Sequence, residues 1–191
     1  MFILASKSPR RKELLKEIID DFIIIPSNVD EFKYSLDQLS LVKALEIAKD
    51  HKEDIIISAD TIVILNGEVF GKPQDELDAY RMLSTLSNKT HEVKTIYTVF
   101  SEKLNISHTR TVTSLVHFNN LSEELIHSYI ASKSPLDKAG AYGVQDNDKF
   151  PIISQIEGSY TNIVGLPVDD LREDREFVVI LYTVRSSFIK R

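Results

Sequence analysis

A short apolar run, Phe2-Ile3-Leu4, gives way within a few residues to Ser6-Lys7-Ser8-Pro9-Arg10-Arg11 and then to the amphipathic stretch ending at Ile19. A buried strand must therefore hand over to a polar turn and a helix start at one point, the hallmark of an α/β unit. Ser8 suits the N-cap and Pro9 the first helical position. Leu14, Leu15, Ile18 and Ile19 form one apolar stripe, which predicts a helix over Pro9–Ile19. Arg10 and Arg11 fall in the first turn, where the helix dipole favours acidic side chains. Cations there cost helix stability unless an anion joins them. Unpaired N–H groups, two hydroxyls and two guanidiniums together suit a phosphate. Ser6, Ser8, Arg10 and Arg11 are thus a candidate anion site. The loop lacks the glycine spacing and Lys-Ser/Thr ending of a Walker A motif.

The rest of the chain alternates strand-like and helix-like patterns. Phe22–Ile25 reads as a strand ended by Pro26, and Asn28–Glu31 as an acidic loop. Leu39–Lys52 reads as a helix. Ile55–Ala59 is a continuous apolar run, as in a central strand, with Asp60 just past its end and Ile62–Leu65 extended. Asn66-Gly67 signals a tight turn. Gly71-Lys72-Pro73 opens a loop before the helix Glu76–Leu86. His91–Ser101 and Ile106–Phe118 read as a long hairpin, and Glu123–Ser132 as a helix capped by Ser122. A glycine-studded stretch, Lys138 to Gln145, precedes the strand Ile152–Ile156 and a short last helix after Pro167. The prediction is a mixed sheet in one α/β domain, residues 1–191, with two lobes sharing a cleft.

Several side chains in this plan can carry chemistry. Asp60, beyond a central strand, stands where open α/β sheets place ligands, and its carboxylate can orient water or hold a divalent metal. A turn residue capping the strand end fits the same position. Glu31, with Asp30, is a second acidic point that could share a metal with Asp60, and a solvated loop is the other reading. Lys72 and Lys138 could neutralise a polyphosphate or simply face water. Gln145 offers one donor and one acceptor, the pair needed at a pyrimidine edge, or could be structural.

Composition narrows the classes. There are no cysteines, which removes disulfides, thiolate metal sites and thiol nucleophiles and suits the cytoplasm. The net charge of −6 argues against bulk binding to a nucleic acid backbone, so any anion site is local. No apolar run reaches membrane-spanning length. The five histidines lack metal-ligand spacing.

Taken in order, these pieces resemble the Maf family of nucleoside triphosphate pyrophosphatases. The resemblance runs through Leu4–Leu15, Asp30-Glu31, Ala59–Val63, Gly71–Pro73, His91 with Val93, Leu136–Gln145, Gly158–Tyr160 and Val164–Pro167. It implies an elongated, inosine-triphosphatase-like α/β domain with a central nucleotide-binding cleft. It implies hydrolysis of a nucleoside triphosphate to the monophosphate and pyrophosphate with a divalent metal, Mg or Mn. Asp60 would activate water, and Glu31 would help hold the metal. Ser6, Ser8, Arg11, Lys72 and Lys138 would bind phosphates. Arg10, Thr61 and Gln145 match the branch acting on dTTP and UTP, whereas the branch acting on 7-methyl-GTP typically has Trp, Gln and Glu there. A homodimer in the cytoplasm is implied, and the family's link with septum formation raises a regulatory alternative. Two features depart from the pattern. The family's Lys-Ala pair late in the second helix reads shifted, as Ala48-Lys49. The tail, Glu173–Arg191, does not look like a closing helix and reads as an added strand, a partner surface or an aberrant end.

Overall fold

The computed structural model describes residues 1–175 and 177–182, and of Phe32 the backbone only. The strands are β1 (Phe2–Leu4), β2 (Phe22–Ile24), β3 (Ile55–Leu65), β4 (Glu68–Phe70), β5 (Thr90–Ser101), β6 (Ile106–Phe118) and β7 (Ile153–Glu157). The helices are α1 (Pro9–Lys16), α2 (Leu36–Ala48), α3 (Glu76–Leu86), α4 (Glu123–Ala131), α5 (Tyr160–Val164) and α6 (Val168–Glu173). The seven strands form one mixed sheet in the order β2-β1-β3-β5-β6-β7, with β4 against β3. β1 runs parallel to β2 and β3, whereas β3–β4 and β6–β7 are antiparallel.

The chain divides into two compact units. The first comprises Met1–Asp60, Ile96–Thr111 and the described residues from Gly165 onward, and the second Thr61–Thr95 and Val112–Val164. In the first unit Ile3, Ala5, Ala44, Ile47, Ala48 and Ile56 pack into one core. The alternation of β1 and the i, i+3, i+4 spacing of α2 bring them to one side. In the second unit a larger core gathers Val63, Phe70, Leu83, Tyr129, Tyr142 and Ile152, among others.

Four sequence expectations are corrected. Asp60 lies inside β3, not past its end. The strand outlasts its parallel partner: β1 covers only Ile55–Ile57 of it, and farther on Val63–Leu65 pair with β4, which sequence reading missed. α1 stops at Lys16, because the N–H groups of Glu17 and Ile18 turn back to Leu14 and Leu15 in a tightened last turn. α2 begins at Leu36, after Ser35, and ends at Ala48, earlier than Lys52. Residues 177–182 are helical, so the apolar tail is no added strand there. Phe177 and Ile180 are buried and Val179 and Tyr182 exposed, a helical rather than an alternating pattern. Glu176 and residues 183–191 lie outside the described residues.

This closing segment is tied down by Asp174, a buried carboxylate. Tyr97 donates to its Oδ2 at 2.7 Å, His108 Nε2 lies 2.8 Å from the same oxygen, and the backbone N–H of Val178 donates to its carbonyl. Burial, with Asp174 next, pushes the Tyr97 hydroxyl well above its ordinary range, so it stays a donor.

Candidate active site

The first unit builds a polar cluster from regular elements. Ser8 caps α1 by accepting from the N–H of Arg11, and Ser6 Oγ accepts from the N–H of Ser8 at 3.2 Å. Arg11 then folds back under the turn. Its Nε donates to the Gly165 carbonyl at 2.8 Å, and its Nη1 to the Ala59 carbonyl at 2.6 Å and to Ser6 Oγ at 3.4 Å. Burial lowers the Arg11 pKa from its ordinary value while the nearby Asp60 carboxylate opposes that shift. An arginine remains charged throughout. Arg11 is thus both a source of positive charge at the helix start and a brace tying that turn to β3.

Asp60 and Glu31 meet through a residue that the sequence reading passed over. Lys43 Nζ lies 2.9 Å from Asp60 Oδ1 and 2.7 Å from Glu31 Oε1. The Lys43 side chain is 9% exposed, that of Asp60 16% and that of Glu31 59%. Glu31 opens a short 3-10 turn, Glu31–Lys33, rather than lying in a plain loop. α2 is held by hydroxyls: Ser58 Oγ donates to the Ser40 carbonyl, Ser40 Oγ meets Thr98 Oγ1 at 2.9 Å, and Thr98 meets Thr109 at 2.8 Å. Ser40 precedes Lys43 by nearly one turn on the same helix face. Lys43 and Ala44 form a buried Lys-Ala pair in α2. Lys49 is exposed at the C-cap of α2. The available signal was a lysine on the apolar face of an amphipathic helix, among Leu39, Ala44 and Ile47.

The second unit carries Thr61 in β3 and its other candidates on loops and turns. Thr61 Oγ1 lies 2.9 Å from Thr95 Oγ1, and Thr95 donates to the Asn162 carbonyl. Asn162 Nδ2 donates to the Val93 carbonyl and to Ser114 Oγ, so the Gly158–Asn162 motif backs Thr61. Lys72 is exposed on the loop after β4. The Gly140 N–H donates to the Gly71 carbonyl, which joins that loop to the Lys138–Gln145 stretch. Gly140 (φ +68°) closes on Val63, where a Cβ would come within 2.9 Å. Lys138 points into the protein and donates to Ser134 Oγ at 2.9 Å, to the Ser134 carbonyl at 2.5 Å and to Asp137 at 3.1 Å. Gln145 is exposed and borders an open cavity of about 320 Å³ shared with Asn147, Gln155 and Tyr160. Arg10, at the start of α1, is half-buried.

The structure thus joins Ser6, Ser8 and Arg11 in one group and Asp60 and Glu31 in another within the first unit. In the second it joins the Lys72 loop to the stretch carrying Lys138 and Gln145. Among the described residues no group of three or more histidines and carboxylates could hold a metal by itself. No described helix is long and apolar enough to cross a membrane.

A cation-bridged carboxylate pair, alongside a serine- and arginine-lined helix start on a mixed sheet, defines an α/β protein equipped to handle phosphates. The family model described as Maf-like protein matches residues 1–174, and the chain belongs to the Maf family. It is 45% identical over 193 residues to the dTTP/UTP pyrophosphatase of Thermosipho africanus (strain TCF52B), covering 92% of this chain and 94% of that protein. The dTTP/UTP pyrophosphatase of Carboxydothermus hydrogenoformans (strain ATCC BAA-161 / DSM 6008 / Z-2901) is 48% identical over 181 residues, 91% of this chain and 97% of its own length. That of Thermococcus gammatolerans (strain DSM 15229 / JCM 11827 / EJ3) is 40% identical over 181 residues, 92% and 96% respectively.

Proposed function

We propose that the protein hydrolyses dTTP and UTP to the monophosphate and pyrophosphate. The observation that carries this reading is the Asp60–Lys43–Glu31 bridge, in the same unit as the Ser6–Arg11 turn. Relatives at 40–48% identity bearing that activity in their names support the substrate.

In the reaction Asp60 takes a proton from a water as its oxygen attacks the α-phosphorus. The α–β anhydride bond breaks, and pyrophosphate leaves with the bond's electron pair. Lys43 holds the Asp60 carboxylate in one orientation. Ser6, Ser8 and Arg11 bind the triphosphate with hydroxyls, N–H groups and a guanidinium, and Lys72 adds charge for the departing pyrophosphate. Lys138 can do so only by leaving Ser134 and Asp137. Arg10, Thr61 and Gln145 select the base: Gln145 pairs with N3–H and a carbonyl of uracil or thymine, which cytosine mismatches.

Asp60 and Glu31 fit a divalent metal. Both already turn toward one cation, Lys43 Nζ, and Mg²⁺ or Mn²⁺ commonly uses one or two carboxylates with phosphate oxygens and water completing the shell. When bound, the metal supplies charge that stabilises the reacting phosphates. By family resemblance the working form is a cytoplasmic homodimer.

The test is pyrophosphate release from a panel of ribo- and deoxyribonucleoside triphosphates with Mg²⁺ or Mn²⁺, beside Asp60→Asn. Turnover of dTTP and UTP that disappears in the variant is expected. Turnover of 7-methyl-GTP alone would overturn the base assignment. A folded protein that binds nucleotides without turning any over would overturn the enzyme reading in favour of a regulator.

A further inference from the structure

We infer that Tyr129 is a positioning residue for base selection, acting through Gln145. This rests on the proposed role of Gln145.

Gln145 is exposed, and an exposed glutamine amide discriminates poorly unless its backbone is fixed. In this structure one hydroxyl holds both flanks, bonding the backbone of Gly143 and the side chain of Asp146. Tyr129 Oη accepts from the N–H of Gly143 at 2.9 Å and donates to Asp146 Oδ2 at 2.6 Å. It therefore clamps the residues flanking Val144-Gln145, and the N–H of Asp146 closes the same turn onto the Gly143 carbonyl at 3.0 Å. Tyr129 comes from α4, a regular element, and is fully buried. Ser134 Oγ donates to the same Asp146 oxygen at 2.7 Å, so the carboxylate has two hydroxyl donors. Burial, with the Asp146 bond next, pushes the Tyr129 hydroxyl far above its ordinary range and keeps it a donor.

Gly143 completes the clamp for a steric reason. Its φ of −129° suits any residue, yet a Cβ there would meet Lys138 Cε at 2.6 Å, Lys138 Cδ at 2.8 Å and Gln145 Oε1 at 3.0 Å. The Lys138 stem fills that space, and its ammonium is anchored on Ser134. Tyr129, Ser134 and Lys138 thus share one hydrogen-bonded support beneath Gln145. A Cβ at Gly143 would press on the Gln145 amide, which is free to swing, and on the Lys138 stem, which is not.

The experiment measures kcat/KM for dTTP and dCTP, as a ratio, in the wild type, Tyr129→Phe, Gly143→Ala, Gln145→Ala and the Tyr129→Phe/Gln145→Ala double variant. Thermal unfolding serves as a control. A purely structural role lowers the active fraction and scales both substrates equally, leaving the ratio unmoved. The positioning role instead predicts a ratio about tenfold lower in Tyr129→Phe and Gly143→Ala, with kcat for dTTP within about threefold of wild type. The double variant falls no further than Gln145→Ala alone, because the residues act in series. If Tyr129→Phe does not fold, Gly143→Ala carries the comparison by a separate route. An unchanged ratio in these variants, with Gln145→Ala collapsing it, overturns the inference and leaves the base assignment standing. An unchanged ratio in Gln145→Ala overturns the base assignment and the inference with it.

Discussion

The two units place their chemistry by different means. In the first, most groups of interest sit on or beside a regular element: Ser6 and Arg11 around the β1–α1 turn, Lys43 on α2, Asp60 in β3, with Glu31 alone among them on a 3-10 turn. In the second, Lys72, Lys138 and Gln145 sit on loops and 3-10 turns fixed by hydroxyls and two close-packed glycines. Hydrolysis of a phosphoanhydride needs charges held to a fraction of an ångström, which strands and helices supply at little local cost. Discriminating one base from another needs a short stretch shaped to a ligand, and turns supply shape. The cost is local strain, as at Ala141, a non-glycine residue with φ +59°.

The largest expected effect tests the first unit. Asp60→Asn keeps the size and loses the proton acceptor. It is expected to lower kcat by roughly 10³-fold while leaving nucleotide affinity within a few-fold, read by single-turnover assays and calorimetry. Substantial turnover by that variant would remove the reaction from this cluster. Lys43→Met comes next. It keeps the buried stem and deletes the cation between two carboxylates, so Asp60 loses its orientation. The expected loss in kcat/KM is about 10²-fold for dTTP, UTP and dCTP alike. A change in the ratio among those bases would contradict the division of labour between the units.

Legibility in the sequence followed the same division. Ser6, Ser8, Arg10, Arg11 and Asp60 stand out because a polar or charged residue next to an apolar strand is conspicuous. Lys43 was missed although Lys43-Ala44 is plainly present. Its neighbours make the helix face look like ordinary core, and only the structure reveals which carboxylates a buried lysine answers. The run Val178–Leu181 has strand propensity, yet tertiary packing of Phe177 and Ile180 overrides it. The strand β3 was cut short in the sequence reading because Asp60-Thr61 interrupts its apolar pattern. Its last residues pair with β4, a partner too short to recognise by periodicity, and β3 also neighbours β5. The support under Gln145 was illegible for a different reason. It joins α4 to the stretch Ser134–Asp146 by hydrogen bonds that have no spacing signature.

Acid should separate the units further. His91, in β5, lies under the Lys138–Gln145 stretch. Tyr142 Oη is hydrogen-bonded to its Nε2 at 2.7 Å, and the two rings pack edge-on with Phe118. Burial lowers the His91 pKa from 6.5 to about 4. Between those values the unfolded chain binds a proton that the folded chain does not. Stability is therefore fully present above about pH 6.5 and declines as pH falls toward 4, by about 2–3 kcal/mol at pH 4.5. Hydrogen exchange at pH 7 and pH 4.5 is expected to show the amides around Tyr142 losing more protection than those of α2. In His91→Phe the acid-induced drop in melting midpoint is expected to shrink. An equal drop in the variant would assign the acid sensitivity elsewhere.

The smallest effect concerns the hydroxyls that hold α2. Ser40→Ala deletes one buried bond, Ser40 Oγ to Thr98 Oγ1, and leaves Thr98 paired with Thr109. Ser58 is also unaffected, because it donates to the Ser40 backbone carbonyl. No buried polar group is orphaned, so the expected loss is about 1 kcal/mol, or roughly 2–4 °C in melting midpoint for a chain of this size. Lys43 lies on the same helix face, yet its position is set mainly by the packing of Leu39, Ala44 and Ile47, so kcat for dTTP should change by less than about threefold. A large kcat loss with a small stability loss would mean that regular elements do not suffice to place the charges of the first unit. Its cluster would then depend on a fine polar support of the kind argued for Gln145, and the contrast between the two units would dissolve.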